Sequence, residues 1–350
     1  MSRWLTRHGF PAGTRARGPL AVSSEGDLVV PLPDDAVGIA AETLRAAGVG
    51  PSDRVVVALN DDGEPGGSLI ARAAASVAQA SASVGARGRM RLHSALEAVE
   101  ATTLIITPTG AMDLLARLHL EFLLDPLDLE LERILVVGEI PSPNAAAQLA
   151  AEFEAEVREL LADPFLGVPI AWKRPSDAVL TVVRDGGLGL AAPDKDVVLE
   201  APLGAGVAEL VVFAGDEVRR TGYAVRLAGG EDGVPAPAHT VGEHVLVRGR
   251  WISVPKLEAA LSKIDGVARW DLRITREGTL DAAALHVRFN RDTLVRNPMW
   301  KGRIAQALYA LTPVSIEVVV EEEVAESRRP GNVTDVRGHH LGRDRSALGV

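Results

Sequence analysis

Apolar and polar positions alternate along this chain in two regimes. In the first, DDAVGIAAETLRAA (Asp34 to Ala47) carries apolar residues at helical spacing behind an Asp cap, with Gly48 just beyond, and predicts a helix. RVVVAL (Arg54 to Leu59), TTLIIT (Thr102 to Thr107) and RILVVG (Arg133 to Gly138) are continuous aliphatic runs that predict strands buried on both faces. Between and after them, the Ala-rich run Ser68 to Val84, GAMDLLARLHL and PNAAAQLAAEFEAE predict helices. Strands alternating with helices imply an α/β fold with a mixed, mostly parallel sheet.

The second regime begins near Trp172. Short β segments, AVLTVV, DVVLEA and AELVVFAG, are separated by Gly, Pro and Asp turns and predict an antiparallel subdomain. AGGEDGVPAPAHTVGEH (Ala228 to His244) has linker composition. HVLVRG, PKLEAALSKI, DLRITR, AALHVRF, WKGRIAQALYAL and SIEVVVE then predict a small α+β domain. The expected organisation is an N-terminal domain over residues 1–240, with an α/β part at about 20–171, a β-rich part at about 172–227 and a linker at about 228–244. A C-terminal domain follows over 245–335, then a polar, partly flexible tail over 336–350.

Composition narrows the functional classes. With 47% hydrophobic residues in 350, the chain can bury cores for two or three domains. A formal net charge of -10 argues against a duplex nucleic-acid partner, which requires a basic face. The absence of cysteine removes disulfides, thiolate nucleophiles and zinc-thiolate sites, and fits a reducing compartment. No apolar run of roughly 18 residues and no signal-peptide block occurs, so the expectation is a soluble, cytoplasmic protein without membrane contact.

Common catalytic motifs are missing. Neither Gly-x-Ser-x-Gly nor His-Glu-x-x-His is present. GGLGL (Gly186 to Leu190) lies between β segments and reads as a turn, without the helix that would make it a phosphate loop. DDGE (Asp61 to Glu64) reads as a solvated loop rather than a calcium loop. His239, His244, His339 and His340 fall in the linker and tail, so no metal site is expected, and Glu321 to Glu323 reads as the exposed end of a strand.

One stretch stands out: VRGRWISVPKLEAALSKIDGV (Val247 to Val267). Its Arg248-Gly249 turn, Pro255, Glu258, Ile264 and Gly266-Val267 resemble the start of the C-terminal domain of adenylate-forming enzymes, closest to the phenylacetate-CoA ligase branch. LRAAGVGPSDRVVVAL, TLIITPTGAMDLLARL and ILVVGEIPSPNAAAQLAAEF resemble other pieces of that superfamily in the same order, from Ala21 to about Asp335. Full-length members carry a portion before the phosphate loop that this chain is expected to lack.

The resemblance implies ATP-driven activation of a carboxylate and transfer to a thiol, which needs a phosphate loop, a magnesium carboxylate, a ribose-binding aspartate and a lysine. The phosphate loop would be AVSSEGDL, where Ser23, Ser24 and Gly26 are nucleotide-binding candidates, but Asp27 stands where the lysine belongs. A carboxylate about 4 Å from a phosphate costs about 4 kcal/mol at an effective dielectric near 20. In LLADPFLG the aromatic residue becomes Leu161 and the magnesium glutamate becomes Phe165, with Asp163 as a substitute. Tyr223 occupies the ribose aspartate's position and remains a nucleotide-binding candidate, although a phenol cannot grip two hydroxyls. The hinge arginine becomes Thr240, with Glu243 in the hinge acid's place, and the catalytic lysine becomes Asn332. In the superfamily the 248 to 251 turn can approach the CoA nucleotide, which makes Arg248, Arg250 and Trp251 candidates for CoA or phosphate; packing of Trp251 beneath the small domain is the structural alternative.

The expected protein therefore keeps the scaffold and has lost the activating chemistry, serving as a non-catalytic binding, regulatory or partner protein. Its ligand would be a small carboxylic acid or acyl-CoA-like molecule, and its partner another copy or a full-length ligase. The alternative is an active aryl or acyl carboxylate-CoA ligase that binds ATP, magnesium and CoA through atypical residues such as Asp163, Glu243, Lys256 or Lys301.

Overall fold

The computed structural model describes residues 2–10, 17–23, 26, 28–61, 66–85, 88–184, 186–277 and 280–348. Its largest sheet runs in the order Thr181–Val182, Pro169–Lys173, Glu156–Ala162, Arg133–Val137, Thr103–Ile106, Arg54–Ala58, Ala80–Ser83. The last five are parallel, and the first two add antiparallel strands at one edge. The aliphatic runs explain the layering. Val55 and Val57 face a core shared with helices Ala36–Ala46 and Gly67–Ala75, while Val56 and Ala58 face one shared with helices Arg89–Val99, Pro108–Arg117 and Pro143–Glu152. Side chains on successive strand residues point to opposite faces, so a strand buried on both must be apolar throughout.

Two elements depart from expectation. The helix expected over Ser68 to Val84 stops at Ala75, because Ser76, Val77 and Ala78 turn back onto Ala73 and Ala74 carbonyls. Residues 80–83 then pair with Arg54–Ala58 as an edge strand. The helix expected to reach Leu120 ends at Arg117 and passes into a π turn over Leu118–Phe122.

A second sheet joins Arg3–Leu5, Glu217–Leu227, Gly206–Ala214, Leu188–Ala191 and Val198–Leu199, with His239–Thr240 also on Glu217–Leu227. Most of it is antiparallel. The C-terminal part comprises the hairpin His244–Val247/Arg250–Ser253 and a four-stranded sheet ordered Ile316–Val320, Leu280–Phe289, Val267–Glu277, Asn332–Asp335, backed by helices Val254–Ser262 and Pro298–Leu311. Strand Leu280–Phe289 shows the one-in, one-out rule directly: Asp281, Ala283, Leu285, Val287 and Phe289 are buried.

The segment after Asp335 is more firmly held than a polar tail would be. Its Arg337 donates to the Leu246 carbonyl at 2.9 Å and to Asp335, and Arg345 pairs with the fully buried Glu209. Among the described residues no helix is long and apolar enough to cross a membrane.

Candidate functional site

The three parts of the chain meet at the carboxyl ends of the large sheet's strands. Strand Arg133–Val137 ends in Gly138-Glu139, and strand Glu156–Ala162 ends in the turn 163–167. From the second sheet comes Tyr223, and from the C-terminal part the hairpin turn Val247-Arg248-Gly249-Arg250. That turn is tight, with Arg248 at φ 50° and Gly249 at φ 69°. Glycine suits position 249 because of its left-handed φ, and a β-carbon there would come within 3.4 Å of the Gly138 carbonyl oxygen, which shows how closely the turn lies against the sheet.

The turn delivers Trp251, which is 1% exposed and packs edge-on against Tyr223 with ring centroids 5.1 Å apart. Both rings belong to one core with Leu161, Ala171, Leu180, Leu210 and Leu246. The Arg7 guanidinium lies 4.9 Å from the Trp251 ring and 5.4 Å from the Phe165 ring, and donates to the Pro164 carbonyl. Phe165 in turn stacks at 5.1 Å on Phe10. Between Glu139, Leu161, Ala162, Pro164 and Tyr223 the space left is about 30 Å³. That holds a water or two; small-molecule sites are on the order of 300–1,000 Å³.

Each sequence candidate can now be placed. Ser23 folds into its own turn: its hydroxyl accepts from the Leu28 amide at 3.2 Å and its carbonyl accepts from Gly26 at 2.9 Å. Ser24 and Asp27 lie outside the described residues. Leu161 and Phe165 are buried in apolar cores. Asp163 is 2% exposed and accepts from the Phe165 amide at 2.7 Å. Burial pushes its carboxyl above the usual range, against the pull of that amide and of Arg219. Held inside its own turn, Asp163 offers no free oxygen pair to a cation.

The CoA candidates divide. Trp251 is core, and Arg248 turns back to donate to the Asp281 carbonyl. Arg250 is half-buried and reaches the Gly249 carbonyl at 3.3 Å. Thr240 is buried and bonds His340 Nδ1 at 3.1 Å. Asn332 sits on the outer strand of the small sheet and donates to Thr334 at 3.1 Å. Glu243 pairs with Arg343, and Lys301 is exposed on helix Pro298–Leu311. Asp61 accepts from the Ser68 amide at 2.7 Å and closes the loop before its helix. Among the described residues no three His, Asp or Glu side chains gather to hold a metal ion.

Sequence reasoning missed two participants. Arg7 carries no signal in a single sequence, because an arginine in the short turn Arg7–Gly9 looks like surface. Glu139 was visible as the acid of VVGEI. Its Oε1 accepts from the Thr109 hydroxyl at 2.7 Å, and loss of water around it raises its pKa, the Thr109 bond opposing this and Asp281 reinforcing it. A roomier hollow of about 370 Å³ lies beside Phe165, lined by Leu20, Val22, Leu32, Leu69 and Leu166 together with Asp34, Asp61 and Arg72.

No protein-family model matches the sequence, and no curated protein does. Solved structures do. 2-Hydroxyisobutyryl-CoA ligase, in complex with 2-HIB-AMP and CoA in the thioesterification state, superposes with a TM-score of 0.70 at 17% identity, over 93% of this chain and 73% of the ligase. The same ligase in the postadenylation state gives 0.53 at 17% identity, over 95% and 74%. Amide bond synthetase McbA from Marinactinospora thermotolerans gives 0.64 at 16% identity, over 87% and 65%. The chain thus has the fold of AMP-forming acyl-CoA ligases and amide synthetases, with its C-terminal hairpin set into the place where the sheets converge.

Proposed function

We propose that this protein uses the acyl-CoA-ligase scaffold without adenylation, as a non-catalytic binding or partner protein. The observation that carries the reading is the filled centre: Tyr223, Trp251, Arg7 and Phe165 pack on one another, and beside them about 30 Å³ is left between Leu161, Ala162, Pro164 and Tyr223, Leu161 and Tyr223 being two positions where the resemblance expects nucleotide contacts. Opening it would expose Trp251 and Tyr223 to water and unstack the arginine. Removing apolar surface from water is worth about 25 cal/mol per Å², so two large rings resist displacement by a charged ligand.

The finer parts of the reading follow from the sequence. The 248 to 267 stretch supports placement nearest the phenylacetate-CoA branch, and a cytoplasmic setting agrees with the lack of cysteine. A small carboxylic acid or acyl-CoA-like molecule is the ligand class to try first, and a full-length ligase or a second copy the partner class. The test is calorimetric titration with ATP and magnesium, followed by pyrophosphate release across a panel of carboxylic acids. The expected result is no binding heat and no acid-dependent pyrophosphate. Micromolar ATP binding with acid-dependent pyrophosphate would replace this reading with an active ligase.

A further inference from the structure

We propose that residues 337–345 act as a strap that fixes the C-terminal part against the second sheet and keeps the Gly249 turn and Trp251 seated. The proposal concerns which arrangement the chain adopts and holds whether or not the site reacts.

The backbone makes the first case. The chain passes from the second sheet to the C-terminal part through residues 239–244, and the strap lies alongside that connector, joined to it by a parallel β-bridge between Thr240 and His340. The Thr240 amide donates to the His339 carbonyl at 2.7 Å, the Leu341 amide to Thr240 at 2.9 Å and the Gly242 amide to Gly342 at 2.9 Å. A connector bonded along its length cannot change its dihedral angles without breaking those bonds, so the rotation it would otherwise permit is blocked.

The side chains anchor both ends. At the near end Arg337, with a 4% exposed side chain, pairs with Asp281 and Asp335 and donates to the Leu246 carbonyl at 2.9 Å, all within the C-terminal part. In the middle Arg343 pairs with Glu243 of the connector at 2.9 Å and lies 3.5 Å from Glu258 of helix Val254–Ser262. At the far end Arg345 donates through Nε and Nη2 to both oxygens of Glu209, at 3.0 and 3.1 Å. Glu209 lies in strand Gly206–Ala214 and is wholly buried, so this bond crosses to the second sheet. Gly242 makes room for it: a β-carbon there would sit 2.5 Å from the Arg345 guanidinium. Glu209 also accepts from Arg220 at 2.8 Å and from the Gly222 amide at 3.0 Å, so it keeps partners when the strap leaves, and the sheet should fold without it.

The absence of native cysteine makes the test direct. Cysteines placed by Ala147→Cys and Tyr309→Cys, at exposed positions on a helix of the large sheet and a helix of the C-terminal part, carry spin labels for distance measurement. The full chain should give one narrow distance. A chain ending at Val336 should lose it, giving a broad or second population, and Arg345→Ala with Arg343→Ala should do so in part. Arg345→Lys, which keeps one charged bond to Glu209, should return most of the narrow population. An unchanged narrow distance in the shortened chain, with its circular dichroism intact, would overturn the proposal. A shortened chain without native circular dichroism hands the decision to the Arg343 and Arg345 variant, which must show the second population for the proposal to stand. Neither result bears on whether the centre binds nucleotide, so the two readings fail separately.

Discussion

Trp251→Ala removes the buried indole packed edge-on against Tyr223 and leaves the hairpin backbone in place. Trp251 is 1% exposed and shares a core with Tyr223 and Leu246, so its deletion belongs with buried aromatic truncations, which cost about 3–5 kcal/mol. Inside that figure are the edge-on contact with Tyr223, worth roughly 0.5–1.5 kcal/mol beyond area, and the Arg7 stack, worth about 2 kcal/mol in a dry setting. Urea unfolding followed by circular dichroism reads the loss, with Tyr309→Ala, at 86% exposed, as the control expected within about 0.5 kcal/mol. The void should also be refillable, so added indole should raise the melting temperature of the variant and leave the parent unchanged. A loss below about 1 kcal/mol with no response to indole would refute the claim that the indole is seated in a core.

Further outcomes follow from the buried charges. Glu209→Gln removes the one anion between Arg220 and Arg345 and should cost about 3–5 kcal/mol, whereas Arg345→Ala leaves Arg220 in place and should cost about 1.5–3 kcal/mol; equal losses in urea unfolding would contradict this assignment. Glu139 has its pKa raised by loss of water, so its unfolded form ionises first and stability should fall as pH climbs above 4.5; Glu139→Gln should flatten that slope. His339 and His340 are held by burial at about 4, below their ordinary 6.5. Their unfolded forms take up protons first, so stability should fall from pH 6.5 toward 4, and a chain ending at Val336 should lack that component in pH-dependent melting. His340 faces Asp335, Arg337, Glu243 and Arg343, and its Nε2 is buried without a hydrogen bond, so a second proton has no acceptor there.

Much of the fold was legible in the sequence because it rests on local signals. Val55, Val56 and Val57 are apolar on both faces, and that alone places Arg54–Ala58 in a covered parallel sheet. Ser253 and Pro255 open helix Val254–Ser262 as capping chemistry requires, the Ser253 hydroxyl accepting from the Lys256 amide. The Ser68 to Val84 run departs from its expected helix because intrinsic propensity, even alanine's, is small beside tertiary bonding, and Gln79 and Ala80 both donate to the Asp53 carbonyl. The site was less legible, because its content is tertiary. That Tyr223 replaces an expected aspartate was visible; that it meets Trp251 from 28 positions further along was not. Arg7 and Arg345 lie near opposite chain ends, and nothing in their neighbourhoods marks one as stacked on Trp251 or the other as bonded to a buried glutamate.

The most direct test of the filled site is titration of the intact chain with ATP and magnesium, read by calorimetry with Trp251→Ala alongside. The account predicts no binding heat for the parent. Saturable micromolar binding by the parent, accompanied by AMP when a carboxylic acid and CoA are supplied, would contradict it.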